Sequence, residues 1–150
     1  MTRSPFPSGD DRPVPRADGF LEFDVIHAYT RRQALADGVL VDVSRQASPS
    51  EMHGGFVVPV AVTAALWHAI EAIPPSLHGI ADARGRLHDV LWMASCAVRR
   101  HPSNETLPLV MFAVVLPVAG DRKRTQRLTV AIGPDDDGSP CVTIGFPEDF

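Results

Sequence analysis

The feature that most constrains the fold is an amphipathic repeat in the second half of the chain. Between Leu87 and Arg100, apolar residues recur at intervals of three and four, the spacing that places them on one face of an α-helix. These residues are Leu87, Val90, Leu91, Ala94, Ala97 and Val98. Burial of one such stripe does not offset the backbone entropy lost in ordering a helix of this length. We therefore expect this helix to pack on a sheet.

A second segment predicts how helix and strand alternate. Residues 33–44 read QALADGVLVDVS. Thr30 begins the spacing of a capping box, and Gly38 can take the left-handed conformation that ends a helix. We expect a short helix over about 31–37 that leads directly into an interior strand. Asp42, within that strand, is the one residue that this architecture does not require.

The rest of the pattern predicts a single α+β domain over residues 20–150. The last third of the chain alternates β-branched apolar runs with turns such as DDDG, which predicts three consecutive strands. We expect an antiparallel sheet, with a C-terminal three-strand meander, packed against two main helices. Residues 1–19 are rich in proline and charge, which predicts a flexible N-terminal arm.

Composition argues against several functions. The 14 basic and 18 acidic residues give a net charge of −4, which lacks the basic excess typical of a nucleic-acid-binding protein. No apolar run is long enough to span a membrane, and the N-terminus has no apolar signal region. We therefore expect a cytoplasmic protein. Cys96 and Cys141 are expected to be buried free thiols.

Motifs for catalysis or metal binding are absent from the sequence. The six histidines have no ligand spacing, and neither a nucleophile elbow nor a glycine-rich phosphate loop occurs. We therefore expect no metal, no cofactor and no enzymatic activity. The alternative is a small enzyme in which Asp42, Arg86 and Asp89 share a cleft and a histidine carries the proton.

A cluster of cations is the best candidate for a partner-binding surface. Arg122, Lys123, Arg124 and Arg127 fall in a predicted hairpin at 121–127. Such a hairpin can simply keep a sheet edge soluble. It can also bind an acidic protein surface or, as a weaker alternative, a nucleic-acid backbone.

Four segments of the chain resemble a protein family of bacteria, plasmids and phages whose function is unknown. The segments are YTRRQALADGVLVDVS at 29–44, FVVPVAVTAALW at 56–67, GRLHDVLWMA at 85–94 and IGPDDDGSPCVTIGFPEDF at 132–150. The residues repeated in the family pattern are Tyr29, Thr30, Gln33, Asp37, Gly38, Asp42, Trp67, Gly85, Arg86, Asp89, Trp92, Gly133, Pro134 and Gly138. Most of these fit capping, turning or packing, whereas Asp42, Arg86 and Asp89 remain as a polar site to be explained.

The resemblance implies a function only by analogy. Small proteins carried by mobile elements often inhibit host defence, for example by occluding a CRISPR effector or a restriction enzyme. We therefore expect a non-enzymatic module that binds a protein partner, with a host defence effector as the suspected target. The oligomeric state stays open.

Overall fold

Three helices and five strands make up the part of the protein that the structure describes. The computed structural model describes residues 29–101 and 109–150, so the predicted arm over 1–19 lies outside the described residues. The helices are α1 (Arg31–Asp37), α2 (Ala64–Glu71) and α3 (Ala83–Arg100). The strands are β1 (Leu40–Asp42), β2 (Val60–Thr63), β3 (Leu109–Val115), β4 (Thr125–Pro134) and β5 (Pro140–Gly145). Short 3-10 turns lie at Pro75–Leu77 and Pro147–Asp149.

The five strands form one mixed sheet in the order β1-β2-β5-β4-β3. The predicted α+β class is confirmed, but the prediction of a purely antiparallel sheet is wrong. β2 and β5 run parallel, with Val60 opposite Val142 and Val62 opposite Ile144, whereas the other neighbouring pairs are antiparallel. Strand patterns in a sequence show which residues face the core, but they do not show which distant strand becomes the neighbour. On one side β2 pairs with β1, its neighbour in the sequence, and on the other side it pairs with β5, from the far end of the chain.

Helix α1 ends as the sequence predicts. Gly38 has a φ of 80°, in the left-handed region where a side chain would be strained. The Val39 N–H donates to the carbonyl of Ala34 at 2.9 Å, and the Gly38 N–H donates to that of Leu35 at 3.3 Å. These two bonds form a Schellman motif, which satisfies carbonyls at the helix end.

The start of α1 is held by a residue from the other end of the chain. Asp136, in the turn between β4 and β5, accepts hydrogen bonds from the backbone N–H groups of Arg31 at 2.9 Å and Arg32 at 3.0 Å. The sequence pattern assigned this aspartate to turn formation alone. In the structure it also joins the turn to the helix.

Strand β1 is not the interior strand that the sequence predicts. In the described sheet it lies at one end and pairs with β2 alone. Leu40 and Val41 are half-buried and Asp42 is exposed, while Val43, just after the strand, is buried. A run of β-branched residues this short does not reveal whether one or both faces are covered.

The core lies between the sheet and helices α2 and α3. Thr63 caps α2 by accepting a hydrogen bond from the Leu66 N–H at 3.2 Å, as predicted. Asp82 caps α3 by accepting from the Gly85 N–H at 2.8 Å, so α3 begins about one turn before the predicted start at Leu87. The largest fully buried side chains are Leu66, Ile70, Leu91, Leu116, Leu128 and Ile144.

The C-terminal turn lies against the face of the sheet opposite this core, called here the outer face. The hydroxyl of Thr63 donates to Asp149 Oδ2 at 2.7 Å, and the same oxygen accepts from the Phe146 N–H at 2.8 Å. Gly145 leaves room for this contact, because a Cβ there would lie 2.5 Å from Thr63 Cγ2. Because glycine has no side chain, the C-terminal turn can pack closely on β2.

Candidate functional site

Arg86, one of the three polar candidates, is a buried structural residue. Its side chain is 5% exposed and its guanidinium donates to three backbone carbonyls. The acceptors are Ile70 at 2.8 Å, Ala69 at 3.0 Å and Pro117 at 2.6 Å. Two of these carbonyls belong to the last turn of α2, where the helix leaves carbonyls without intrahelical partners. Arg86 therefore joins the end of α2 to the chain that follows β3.

Asp89 stands near Arg86 on the same helix. Burial lowers the pKa of the Arg86 guanidinium, and the nearby Asp89 carboxylate opposes that shift. Asp89 itself is exposed. The pair is consistent with an i, i+3 charge interaction on a helix surface.

Asp42 has a local partner of its own. Its Oδ1 accepts hydrogen bonds from the Ser44 N–H at 2.9 Å and from the Ser44 hydroxyl at 2.7 Å. Ser44 Oγ in turn accepts from the Val60 N–H at 2.9 Å. Asp42 therefore shapes the turn after β1 and links it to the start of β2, a role that the strand pattern did not show.

The four cations of the basic cluster lie in the connection between two antiparallel strands and in the first residues of the second strand. β3 and β4 pair from Leu109 opposite Ala131 to Val115 opposite Thr125, and the cations follow in the connecting loop and in β4. Arg122, Lys123, Arg124 and Arg127 are all exposed. Below, the four are called the basic hairpin.

Asp121 holds the loop of the basic hairpin in shape. Its carboxylate accepts from the Lys123 backbone N–H at 2.9 Å and from Gln126 Nε2 at 3.2 Å. These two bonds hold the pKa of the Asp121 carboxyl below its usual range, with the backbone bond the larger cause. The anchored turn presents the cations at a defined position.

The outer face of β3, which sequence reasoning missed, carries exposed apolar side chains beside these cations. Met111 is 54% exposed and Val115 is 63% exposed, and Leu109 is also exposed. Arg127 lies directly opposite Ala113, between Met111 and Val115 along the strand. The run LPLVMFAVVLPV is apolar at every position, so its sequence does not indicate which alternate residues face solvent.

The cysteines and histidines suggest no chemical site in the described residues. Cys96 and Cys141 are free thiols; Cys141 is buried as predicted, whereas Cys96 is only half-buried. Burial raises the pKa of the Cys141 thiol, which disfavours the nucleophilic thiolate. Within 29–101 and 109–150, no three His, Cys, Asp or Glu side chains gather as a set of metal ligands. His53 instead lies beside the ring of Trp92, with ring centroids 6.3 Å apart.

Comparison with known proteins assigns the chain to a family. None of the helices in the described ranges is long and apolar enough to cross a bilayer. No curated protein and no solved structure matches the chain. The sequence model of one family, described as "Family of unknown function (DUF6573)", matches residues 17–150. Because this match covers most of its length, the chain belongs to the DUF6573 family.

Proposed function

We propose that this protein is a non-enzymatic interaction module that binds an acidic protein surface through the basic hairpin and the outer face of β3. One observation carries the proposal. The strand register sets one cation of the basic hairpin, Arg127, opposite Ala113 and between the exposed apolar side chains of Met111 and Val115.

This combination of side chains fits a protein partner better than a nucleic acid. Covering exposed apolar side chains such as Met111 and Val115 with another apolar surface lowers the free energy of the complex. A phosphate backbone offers no apolar surface of this kind. The four cations stand out in a chain whose net charge is −4, so they attract carboxylates locally while the whole molecule repels a polyanion. The expected partner therefore has an apolar patch surrounded by Asp and Glu.

The shape of the edge also supports the proposal. Within the described sheet, β3 has β4 as its one neighbour. None of its residues is charged or proline, although these are the residues that usually protect an edge strand. An uncharged edge beside a basic turn that Asp121 holds by hydrogen bonds is suited to receive part of another protein.

A narrower proposal concerns the identity of the partner. The resemblance to proteins of plasmids and phages supports a host defence complex, such as a CRISPR effector or a restriction enzyme. It is tested by expressing the protein in cells that carry one defined defence system and measuring the plating efficiency of a targeted phage. A rise in plating that is lost on charge reversal at Arg122 and Arg124 would support inhibition, and unchanged plating across the systems tested would count against it.

The broader proposal is tested by quantitative capture from a bacterial lysate. The wild-type protein is compared with the double variant Arg122→Ser and Arg124→Ser and with the apolar-face variant Met111→Asp. We expect one stoichiometric protein to be retained by the wild type and its recovery to fall about tenfold with either variant, which corresponds to a loss of about 1.4 kcal/mol.

A matched control removes the same charge elsewhere. Arg32→Ser together with Arg100→Ser also deletes two exposed cations, and it should keep the partner. Equal loss with both double variants would show a nonspecific charge effect. Retention of duplex DNA that falls steeply with salt and with loss of Arg122 and Arg124 would instead favour nucleic-acid binding.

A further inference from the structure

A cleft lined by both charged and apolar side chains lies where the loop after β1 meets α2 and the start of α3. Its volume is about 400 Å³. The lining includes Arg45, Gln46 and Glu51 from the loop, Trp67 from α2, and Arg84 and Leu87 from α3. We call this the Trp67 cleft. Its residues are separate from those of the basic hairpin and the outer face of β3.

The guanidinium groups of the two arginines in this cleft make no polar contact with the described residues. Among the residues that the structure describes, none accepts a hydrogen bond from the Arg45 or Arg84 guanidinium, and none forms an ion pair with either. Glu51 also lines the cleft, and Asp82 lines the adjoining cleft that shares Gln46, Glu51, Arg84 and Leu87, so positive and negative charges balance here. The two unpaired guanidinium groups, rather than a net positive charge, favour an anion at this position.

The arginine of another cleft shows the contrast. On the outer face, a cleft of about 530 Å³ is also lined by an arginine, Arg31. That guanidinium donates to the Thr143 hydroxyl at 2.6 Å and to the Val142 carbonyl at 2.9 Å. Its donors are thus used within the protein, whereas those of Arg45 and Arg84 are available to a ligand.

Trp67 and Leu87 give the cleft an apolar wall. Leu87 is buried in the core, and Trp67 packs partly against that core while it also lines the cleft. Within the described ranges, no group accepts a hydrogen bond from the Trp67 indole N–H. An indole held in this way offers a flat surface for stacking and a free donor at its edge.

We infer that the Trp67 cleft binds a small organic anion with a planar apolar body, either an aromatic carboxylate or an aromatic phosphate ester. The body stacks on Trp67, and the anionic group lies between Arg45 and Arg84. Guanidinium groups match the geometry of carboxylates and phosphates, with which they form paired charge-assisted hydrogen bonds. The volume is also within the range of small-molecule sites in proteins.

Replacement of Glu51 gives a further test of this inference, because its charge should affect the affinity for an anion. A carboxylate at the edge of the cleft repels an anionic ligand, so Glu51→Gln should tighten binding of the anion severalfold. A ligand that instead carries an ammonium group would bind more weakly to the same variant. Tighter binding of the anionic probes by Glu51→Gln would therefore place their charged group near this end of the cleft.

The experiment follows the indole N–H signals of ¹⁵N-labelled full-length protein by NMR. The chain has two tryptophans, so Trp67 and Trp92 give two indole signals that Trp92→Phe assigns. The probes are 1-naphthoate for the carboxylate, adenosine 5′-monophosphate for the phosphate ester, and adenosine as the neutral control. We expect saturable shifts of the Trp67 signal with one or both anions, at a Kd of about 1 mM or tighter, and none with adenosine.

Variants assign the binding to the cleft. Arg45→Gln and Arg84→Gln should each weaken binding about tenfold, because each removes a hydrogen bond to a charged group. Arg100→Gln, at the far end of α3, should leave the affinity unchanged. Both arginine side chains are exposed and have no polar partner among the described residues, so these variants are expected to fold.

Three outcomes would overturn the inference. The first is no saturable shift of Trp67 with either anion up to about ten times the expected 1 mM Kd. The second is a shift that Arg45→Gln and Arg84→Gln leave unchanged. The third is a shift confined to Trp92. Binding of only one of the two anions would identify the anionic group that the cleft accepts.

Discussion

At the scale of single residues, the polar side chains that look functional in the sequence differ in how far along the chain their partners lie. Arg86 stands in a regular helix pattern, and nothing within a few residues accepts its hydrogen bonds. Its acceptors lie 16, 17 and 31 residues away. Asp42 differs, because Ser44, only two residues on, donates both of the hydrogen bonds that the Asp42 carboxylate accepts. The sequence therefore shows that Arg86 is not explained by the helix pattern, but its structural role depends on acceptors that only the tertiary structure brings to it.

Replacement of Arg86 should destabilise the protein strongly. Arg86→Ala leaves three carbonyls without their donor, two of them at the end of α2, and should lower the free energy of unfolding by about 3 kcal/mol. Urea denaturation followed by circular dichroism measures the change. Arg86→Lys keeps the charge but loses the planar fork, so its loss should be intermediate. Arg84→Ala, at an exposed position on the same helix, should change stability by less than about 0.5 kcal/mol. Equal stability of Arg86→Ala and wild type would contradict this role.

At the scale of elements, local chemistry determines the helix ends but not everything attached to them. Gly38 and Thr63 are predictable because their conformations or hydrogen bonds involve neighbouring residues. The carboxylate at the start of α1 was not predictable, since Asp136 lies 104 residues beyond Arg32. Its chemistry is suited to the position, because a carboxylate interacts favourably with the N–H groups at a helix start.

The bond between Asp136 and α1 should make stability depend on pH. The backbone N–H groups of Arg32 and Arg31 hold the pKa of the Asp136 carboxyl below its usual value. A carboxyl whose pKa is depressed by folding contributes stability above its unfolded pKa, and this contribution is lost as pH falls through the folded value. Stability should therefore fall as the pH drops below about 4.

Asp136→Asn should reduce this acid-dependent loss. Because the variant cannot be protonated at this position, its stability should change less steeply than that of the wild type below about pH 4. The slope of the variant will not vanish, since hydrogen bonds also depress the pKa values of Asp121 and Asp137. Urea midpoints measured in a pH series give both slopes, and Glu148→Gln serves as an exposed control. Parallel slopes for Asp136→Asn and wild type would refute the proposed linkage.

The contact between β5 and the C-terminal turn makes a second prediction at this scale. Gly145→Ala places a methyl group against Thr63, whose hydroxyl is already bonded to Asp149, and should cost about 2 kcal/mol through overpacking. Gly133, in β4, has no atom within 4 Å of the corresponding Cβ position. Gly133→Ala should therefore be neutral to within about 0.5 kcal/mol. Thermal denaturation of the two variants compares them directly, and equal losses would show that packing at Gly145 is not limiting.

At the scale of the whole molecule, the position of a strand in the sheet determines which surfaces remain for partners. β2 is buried at every residue, between β1 and β5. β3 lies at the opposite end of the described sheet from β1 and exposes alternate apolar residues. Because β2 is buried and β3 is partly exposed, we expect β2 to be locally more stable than β3.

Hydrogen exchange should report this arrangement. Amides of β2 and of β5 around Ile144 should exchange slowest, near the rate set by global unfolding. In β3 every second amide points away from β4, so protection should alternate along Leu109–Val115. Exchange measured by NMR on the isolated protein tests both statements. Uniform protection throughout β3 would mean that the edge of the strand away from β4 is covered, and the support that the proposed function draws from an open edge would then be incorrect.

The sequence by itself determined those features whose cause lies within a few residues. The helix periodicity, the glycine at the end of α1, the threonine cap of α2 and the basic turn before β4 all follow from local sterics and local hydrogen bonds. The tertiary structure alone decided the parallel pairing of β2 with β5, the acceptors of Arg86, the cap from Asp136 and the exposed face of β3. These depend on which distant segments meet, because a hydrophobic pattern specifies which side of an element is buried but not which element covers it.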